Sequence, residues 1–418
     1  MQRATSISLR PLLGSAVIVA SLGYFVDIYD LVLFSIIRVP SLQSLGLTGA
    51  ALLDTGLYLL NIQMIGMLIG GMLWGVLGDK KGRLSVLFGS IVLYSLANIA
   101  NGFVQSVEQY AVLRFIAGIG LAGELGAGVT LVSETLPKEI RGYGTALVTA
   151  VGMAGALLAW AIAKNFGWQS CFFIGGGLGL ALLVLRFRVL ESGMYEKMAA
   201  QNVRRGHFIT LLTHGHRFGR YWRCILVGLP TWFLIGILLT FSPEFAKAMG
   251  VRGTVMGGEA IFWYYLGQVF GDVISGTTSQ LLKSRVKVLR MFLIGVGVVG
   301  AVYFLQGATT VTMFYAICAV LGVTNGYWAL YVTIAAEQFG TNMRATVATT
   351  VPNFVRGSLV PIALAFQSLK ELLSKHFAAD TALLYSGAIV GLATLSIALI
   401  ALSGLKDTFG KDLDYMET

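Results

Sequence analysis

The chain has 418 residues, of which 56% are hydrophobic and only 12% are charged, and its mean hydropathy is +0.77. A soluble domain carries about 25% charged residues, so this composition excludes a water-soluble globular protein. The net charge of +10 fits basic loops beside a membrane, and we expect no nucleic-acid partner. The three cysteines are scattered without metal-binding spacing, so we predict neither a disulfide framework nor a metal site.

Twelve apolar runs are long enough to cross a membrane as α-helices, because a spanning helix needs about 20 apolar residues. A transmembrane barrel would instead have short segments of alternating polarity. The sequence therefore predicts an all-α membrane protein. The predicted spanning helices cover residues 13–37, 51–77, 84–104, 110–133, 142–163, 169–190, 222–243, 257–282, 288–306, 309–335, 345–369 and 381–404.

The first predicted helix carries two aspartates, Asp27 and Asp30, which are three residues apart and so share nearly one face. Ionisable groups inside a membrane are costly and mark functional sites by default. We therefore predict that these carboxylates take part in proton coupling. Tyr24 and Tyr29 lie beside them, and we expect both to line a substrate route.

Two glycines and two charges follow the second predicted helix in a compact pattern: Gly75, Asp79, Gly82 and Arg83. The glycines allow close packing and a tight turn. Asp79 can face a helix N-terminus or a basic partner, and Arg83 can pair with a carboxylate of another loop. We predict a gating motif whose charged contacts hold one conformation.

The fourth predicted helix carries Arg114 and Glu124, which are about 15 Å apart at 1.5 Å per residue. We expect Arg114 to lie near Asp30, and Glu124 to lie deeper, near Asp27. The proton carrier is then Asp27, Asp30 or Glu124, with Arg114 as the cationic partner. A static salt bridge and a helix-packing hydrogen bond are the alternative roles.

A polar and basic stretch, residues 191–221, divides the twelve helices into six and six. We therefore predict an N-terminal bundle over residues 1–190 and a C-terminal bundle over residues 222–418, joined by a cytoplasmic linker.

The two halves share a charged pattern. Glu134 precedes Arg141 by seven residues after the fourth helix, and Glu337 precedes Arg344 by seven after the tenth. Parallel repeats of this kind are a known transporter plan. We predict two pseudo-symmetric bundles and add these four residues to the gating motif.

Basic residues predict the orientation of the chain. With the N-terminus inside, the inner segments hold 22 lysines and arginines and the outer segments hold 6. Cytoplasmic loops carry the excess of basic residues. We expect both termini in the cytoplasm and a multi-pass location in a plasma membrane of the bacterial inner-membrane type.

The eleventh predicted helix contains Arg356 between Pro352 and Pro361, which predicts an interrupted helix beside a cavity. A guanidinium there needs an anion. That anion is either a substrate carboxylate or Asp272 of the eighth helix. We expect further polar and aromatic side chains to line the substrate route: Asn353, Trp232, Asn325 and Gln268.

The motif over residues 75–83 resembles the loop signature of the major facilitator superfamily, and residues 114–120 resemble its arginine-containing fourth-helix motif. The run over residues 123–142 is similar to the metabolite:proton symporters, the sugar porters and the organic ion transporters. Asp30 follows Tyr29 as in the first helix of sugar porters. The resemblance covers nearly the whole chain, and it implies the two-bundle fold and transport by alternating access.

Together these features predict proton-coupled symport of a small organic anion or polar metabolite, with protons as coupling ion and no other cofactor. A monomer is expected to suffice. The alternatives are a facilitative or proton-coupled sugar carrier and a metabolite or drug exporter. Drug–proton antiporters of the superfamily carry a Gly-Pro motif in the fifth helix, and export is disfavoured because residues 152–158 have no proline. A membrane receptor is disfavoured because a receptor needs no gating motif. An enzyme is disfavoured because the sequence has no nucleophile–base or metal-ligand spacing.

Overall fold

A computed structural model describes residues 14–81, 83–124, 132, 136, 140–189 and 215–409. Two residues of the predicted gating motif, Gly82 and Glu134, lie outside these ranges. The side-chain surroundings of five others also lie outside the described part of the chain: Gly75, Asp79, Arg83, Arg141 and Arg344.

The first half of the chain consists of long helices that pack side by side as one bundle. Their apolar sequences suit a spanning helix, in which every backbone polar group is satisfied within the segment. These helices are α1 (Ser15–Ser44), α2 (Ala50–Lys81), α3 (Arg83–Asn101), α4 (Val107–Leu121), α5 (Arg141–Asn165) and α6 (Trp168–Val189).

The second half repeats this plan with several interrupted helices. One segment combines α7 (Gly215–Val227), α8 (Leu229–Phe233), a π-helical turn (Leu234–Leu239) and α9 (Ser242–Ala248). The remaining helices are α10 (Gly257–Leu281), α11 (Arg285–Leu305), α12 (Val311–Asn325), α13 (Trp328–Glu337), α14 (Thr341–Gly357), α15 (Leu359–Leu373) and α16 (Ala379–Ser403).

The described helices match the twelve predicted segments one by one, so the all-α membrane fold is confirmed. Eight of the described helices are long and apolar enough to cross a membrane by length and composition alone. The seventh segment begins at Gly215, whereas the sequence predicted a start at 222. Its first turns are basic and amphipathic, which an apolar-run criterion misses. Residues 190–214, most of the predicted linker, lie outside the described ranges.

Glycines set the closest helix contacts, and the two halves share them. A methyl group on Gly118 of α4 would collide with the carbonyl oxygen of Gln63 in α2. A methyl group on Gly322 of α12 would likewise collide with the carbonyl oxygen of Tyr264 in α10. Small residues let membrane helices approach this closely. The repeated contact agrees with two pseudo-symmetric bundles.

The two bundles are joined at one end by polar contacts, and we call this the closed end. Arg38 of α1 donates two hydrogen bonds to the Glu244 carboxylate of α9, at 2.6 and 2.8 Å. Arg38 also donates to the carbonyl of Leu52 at 2.8 Å and lies 4.4 Å from the centre of the Phe241 ring. The Thr240 and Ser35 hydroxyls add a hydrogen bond of 2.9 Å nearby. These contacts fix the bundles around the buried charges between them.

Candidate substrate and proton site

An ion pair joins the bundles deep in the protein. Nη2 of Arg356 in α14 lies 2.9 Å from Oδ2 of Asp27 in α1, and both side chains are at most 1% exposed. Nε and Nη1 of Arg356 and Oδ1 of Asp27 lack hydrogen-bond partners among the described residues. The pair therefore keeps unused hydrogen-bonding capacity on both of its members.

Arg356 pairs with Asp27 and not with Asp272, the protein partner that the sequence suggested. Asp272 of α10 forms no ion pair with Arg356 in the described structure. Its Oδ1 accepts a hydrogen bond of 3.3 Å from the backbone N–H of Ala329, in the first turn of α13. A carboxylate is favourable at a helix N-terminus. The alternative that Arg356 pairs with Asp272 is therefore corrected to a pair with Asp27.

Asp30 and Arg114 are neighbours without a direct bond. Arg114 donates to Oδ1 of Asn98 at 2.9 Å and to Oε1 of Gln63 at 3.3 Å. Both carboxylate oxygens of Asp30 are buried and lack a hydrogen-bond partner within the described ranges. Oδ1 of Asp30 lies against the backbone of Gly175 in α6. Arg114 and Asn98 are therefore the polar neighbours of Asp30, and neither is a direct ion-pair partner.

Glu124 is bound by an arginine that the sequence did not single out. Nη1 and Nη2 of Arg186 in α6 lie 3.1 and 2.8 Å from the two Glu124 oxygens. The Ser90 hydroxyl donates to the same carboxylate at 3.2 Å. Gly23 of α1 leaves room for this pair, since a methyl group there would collide with Arg186. Two-pronged pairing of this kind is the strong form of a charged hydrogen bond.

The predicted lining residues divide into two groups. Tyr24 is 3% exposed, its hydroxyl lacks a hydrogen-bond partner among the described residues, and it interacts electrostatically with Arg356, Asp27 and Asp272. Asn353 of α14 donates to the carbonyl of Ala122, directly after α4, at 2.8 Å, which is a further contact between the bundles. These residues share the central region with the ion pair.

The other predicted lining residues are of two kinds: two form hydrogen bonds within one bundle, and two are buried with an unpartnered polar atom. The Tyr29 hydroxyl donates to the Cys171 carbonyl at 2.8 Å, so it ties α1 to α6. Asn325 donates to the Tyr264 hydroxyl at 2.6 Å. Trp232 and Gln268 are 4% and 1% exposed, and Nε1 of Trp232 and Oε1 of Gln268 lack partners in the described structure.

Sequence reasoning missed Arg186, Gln63 and Asn98, which hold the buried charges, and Tyr265, which interacts electrostatically with Arg356 and Asp27. Gln63 and Asn98 are polar residues within apolar runs, and that signal was available. Arg186 was counted among the cytoplasmic basic residues because it lies near a helix end. Among the described residues, no group of three His, Cys, Asp or Glu side chains could hold a metal ion.

Of the predicted gating residues, Glu337 has a described side chain. Nη2 of Arg285, at the start of α11, lies 2.9 Å from its carboxylate, and the Thr408 hydroxyl donates to it at 2.7 Å. Asp407 follows α16 and accepts hydrogen bonds from the Ser284 hydroxyl and the Arg285 backbone. Partial burial raises the pKa of Asp407, but these bonds outweigh it and hold the pKa below its ordinary value.

Comparison with known proteins gives the family. A model of the Major Facilitator Superfamily matches residues 20–359. The chain is 27% identical to the niacin transporter NiaP of Acinetobacter baylyi over 360 residues, which cover 78% of this chain and 80% of that protein. It is 26% identical to the gentisate transporter of Corynebacterium glutamicum over 348 residues, which cover 79% and 76% of the two proteins.

A solved structure of the proton:xylose symporter XylE has the same fold. The TM-score is 0.74 at 18% sequence identity, and the match covers 97% of this chain and 98% of that chain. The match of the family model to most of the chain, the transporters among its relatives and the buried charges between two helical bundles all agree. This protein is a multi-pass membrane transporter rather than an enzyme, and it belongs to the major facilitator superfamily.

Proposed function

We propose that this protein imports a small organic acid of the aromatic carboxylate class together with protons, by alternating access. The observation that carries the proposal is the buried ion pair between Arg356 and Asp27, because each residue comes from a different bundle. A substrate carboxylate can replace Asp27 on Arg356. A ligand shifts a conformational equilibrium only when it binds two states differently. An anion that replaces Asp27 on Arg356 breaks this contact between the bundles, and it therefore binds the state with the contact and the state without it differently.

The proton enters the scheme through charge balance. When Asp27 takes up a proton it loses its attraction for Arg356, and the guanidinium becomes available to an anion. Asp30, which has no hydrogen-bond partner among the described residues, is the second proposed carrier. Glu124 is the weakest of the three candidates, since Arg186 and Ser90 already hold it. The names of two relatives support the substrate class, because niacin and gentisate are both aromatic carboxylic acids.

The orientation and organisation belong to the same proposal. The distribution of basic residues supports cytoplasmic termini, so we propose that the closed end faces outward. The bundles then comprise residues 1–190 and 222–418, with residues 191–221 as a cytoplasmic linker whose last turns extend α7. We further propose that protons are the only coupling ion and that a monomer is sufficient.

The test is uptake of labelled gentisate by the purified protein in proteoliposomes. An inward proton gradient should accelerate uptake, and an uncoupler should abolish accumulation. One of the two variants Asp27→Asn and Asp30→Asn should change the residue that carries the proton. That variant should lose gradient-driven accumulation but keep the exchange of external for internal substrate. Asp380→Asn, which changes an exposed aspartate in the first turn of α16, is the matched control. Wild-type uptake that ignores both gradient and uncoupler contradicts proton symport.

A further inference from the structure

One face of α10 presents polar groups to the interior at every turn. Tyr264, Gln268 and Asp272 are four residues apart, so they lie one above another on the same face. Their exposed fractions are 0%, 1% and 8%. Oε1 of Gln268 and Oδ2 of Asp272 lack hydrogen-bond partners among the described residues. We call these three residues the α10 polar stripe.

The backbone around Asp272 fixes that carboxylate in place. The helix pair α12–α13 is broken between Asn325 and Trp328, and the backbone of Gly326 at the break touches that of Gly271. The first turn of α13 therefore points its free N–H groups at Asp272, and Ala329 donates to Oδ1. One oxygen is used by the backbone, and the other is held rigidly without a protein partner.

The stripe and the ion pair have Tyr24 of α1 as a common neighbour. Tyr24 of α1 interacts electrostatically with Asp272 and also with Arg356 and Asp27. Its hydroxyl has no hydrogen-bond partner in the described structure. Around Tyr24 there are therefore unused donors on Arg356 and an unused acceptor on Asp272, and Gln268 lies one helical turn from Asp272 on the same face of α10.

These unused groups define what a ligand must offer. Buried polar atoms are nearly always hydrogen-bonded in native proteins, so groups without a protein partner at a binding site indicate a ligand or water. A carboxylate on the ligand satisfies Arg356. The acceptors on Gln268 and Asp272 need a donor, and an acid that carries only apolar substituents has none to give.

We propose that Gln268 and Asp272 form a subsite that selects organic acids bearing a hydroxyl or amino group over acids without a hydrogen-bond donor. The inference rests on the proposed transport of an organic acid and specifies its substrate class. A site built to hydrogen-bond a polar substituent strongly rejects the analogue that lacks it, because the buried groups of the site are then left unpaired.

The experiment measures binding to the purified full-length protein in detergent by calorimetry, with three probes: benzoate, 3-hydroxybenzoate and 3-aminobenzoate. In the wild type, we expect both substituted acids to bind at least about tenfold more tightly than benzoate. Asp272→Asn keeps an oxygen for the Ala329 N–H but replaces the second acceptor by a donor. The preference for 3-aminobenzoate should disappear, whereas 3-hydroxybenzoate should keep part of its advantage because a hydroxyl can also accept a hydrogen bond.

A second variant and a control complete the test. Gln268→Leu removes an acceptor without touching the α13 cap, so it tests the subsite if Asp272→Asn fails to fold, and both preferences should fall. Asp380→Asn should leave all three dissociation constants unchanged. If the wild type binds the three acids with equal affinity and Arg356→Ala binds none of them, the subsite is contradicted and the proposed function is not. Unchanged preferences in the folded Asp272→Asn and Gln268→Leu variants also overturn the subsite. Failure of every acid to bind the wild type contradicts the proposed function itself.

Discussion

At the scale of single residues, three of the buried arginines are each held by a specific set of oxygen atoms. Arg356 uses a carboxylate, Arg186 uses both oxygens of Glu124, and Arg114 uses two amide oxygens. A guanidinium stays charged in proteins, so its burial requires such partners. The difference among the three matters for function, because amide oxygens cannot be titrated whereas carboxylates can.

The Arg356–Asp27 pair leads to a prediction about stability. Arg356→Ala leaves a buried carboxylate without its partner and should lower the free energy of unfolding by about 3–5 kcal/mol. The double variant Asp27→Ala with Arg356→Ala removes both charges and should recover much of that loss, which thermal unfolding without ligand measures. Lys370→Ala breaks a partly exposed pair with Asp54 and should cost at most about 1 kcal/mol. If the double variant is no more stable than Arg356→Ala, the two residues are not energetically coupled.

At the scale of elements, glycine positions decide how closely the helices pack. In α10, Gly267 faces the backbone of α12, where an added methyl group would meet the carbonyl oxygen of Ala319. Gly276 lies on the same helix and has nothing within 4 Å of the corresponding position. The contrast separates the packing effect of a glycine from its effect on helix propensity.

Alanine substitutions at these two glycines should have opposite effects. Gly267→Ala forces α10 away from α12 and should destabilise the protein by about 1–3 kcal/mol. Gly276→Ala should be neutral or stabilising, because glycine in a helix interior costs about 0.5–1 kcal/mol relative to alanine. Midpoints of thermal unfolding in one detergent compare the two variants directly. Equal destabilisation would show that the close approach of α10 and α12 does not limit packing.

At the scale of the whole molecule, the closed end supplies the contacts that must break in the proposed alternating-access cycle. Among the described ion pairs of this end, Arg38–Glu244 is the most buried, with Arg38 fully buried and the Glu244 side chain 22% exposed. The Lys164–Glu259 pair is longer, at 3.5 Å, and its lysine side chain is 59% exposed. The buried pair therefore contributes more to closure than the exposed one.

Neutralising Glu244 should open the closed end. In Glu244→Gln, the closed state keeps Arg38 buried without its counter-charge, which is unfavourable. The open state does not have this cost, so its population should rise. The measurement is maleimide labelling of Ser242→Cys, a buried position, in a protein whose three native cysteines are replaced. The labelling rate should rise about tenfold, which corresponds to about 1.4 kcal/mol. Glu259→Gln is the control and should label as slowly as the parent; equal rates for both variants would exclude a gating role for Arg38–Glu244.

The sequence by itself determined the helices, the two-bundle plan and the residues that carry charge into the membrane. Length and apolar composition decide whether a segment spans a membrane, and both are local properties of the chain. The charges of Asp27, Asp30, Arg114 and Arg356 stood out for the same reason, because a charge within an apolar run is costly wherever its partner lies.

Only the tertiary structure decided which charge meets which partner. Arg356 and Asp27 are 329 residues apart, and their contact depends on the depth and neighbours of α14 and α1. Arg114 lies close to Asp30 yet is bound by Asn98 and Gln63, since helix packing brings these amides within hydrogen-bond distance. A hydrogen bond forms or is absent within about 1 Å. Sequence spacing defines position along a helix but not at this precision between helices, so the pairing of the predicted residues came from the fold.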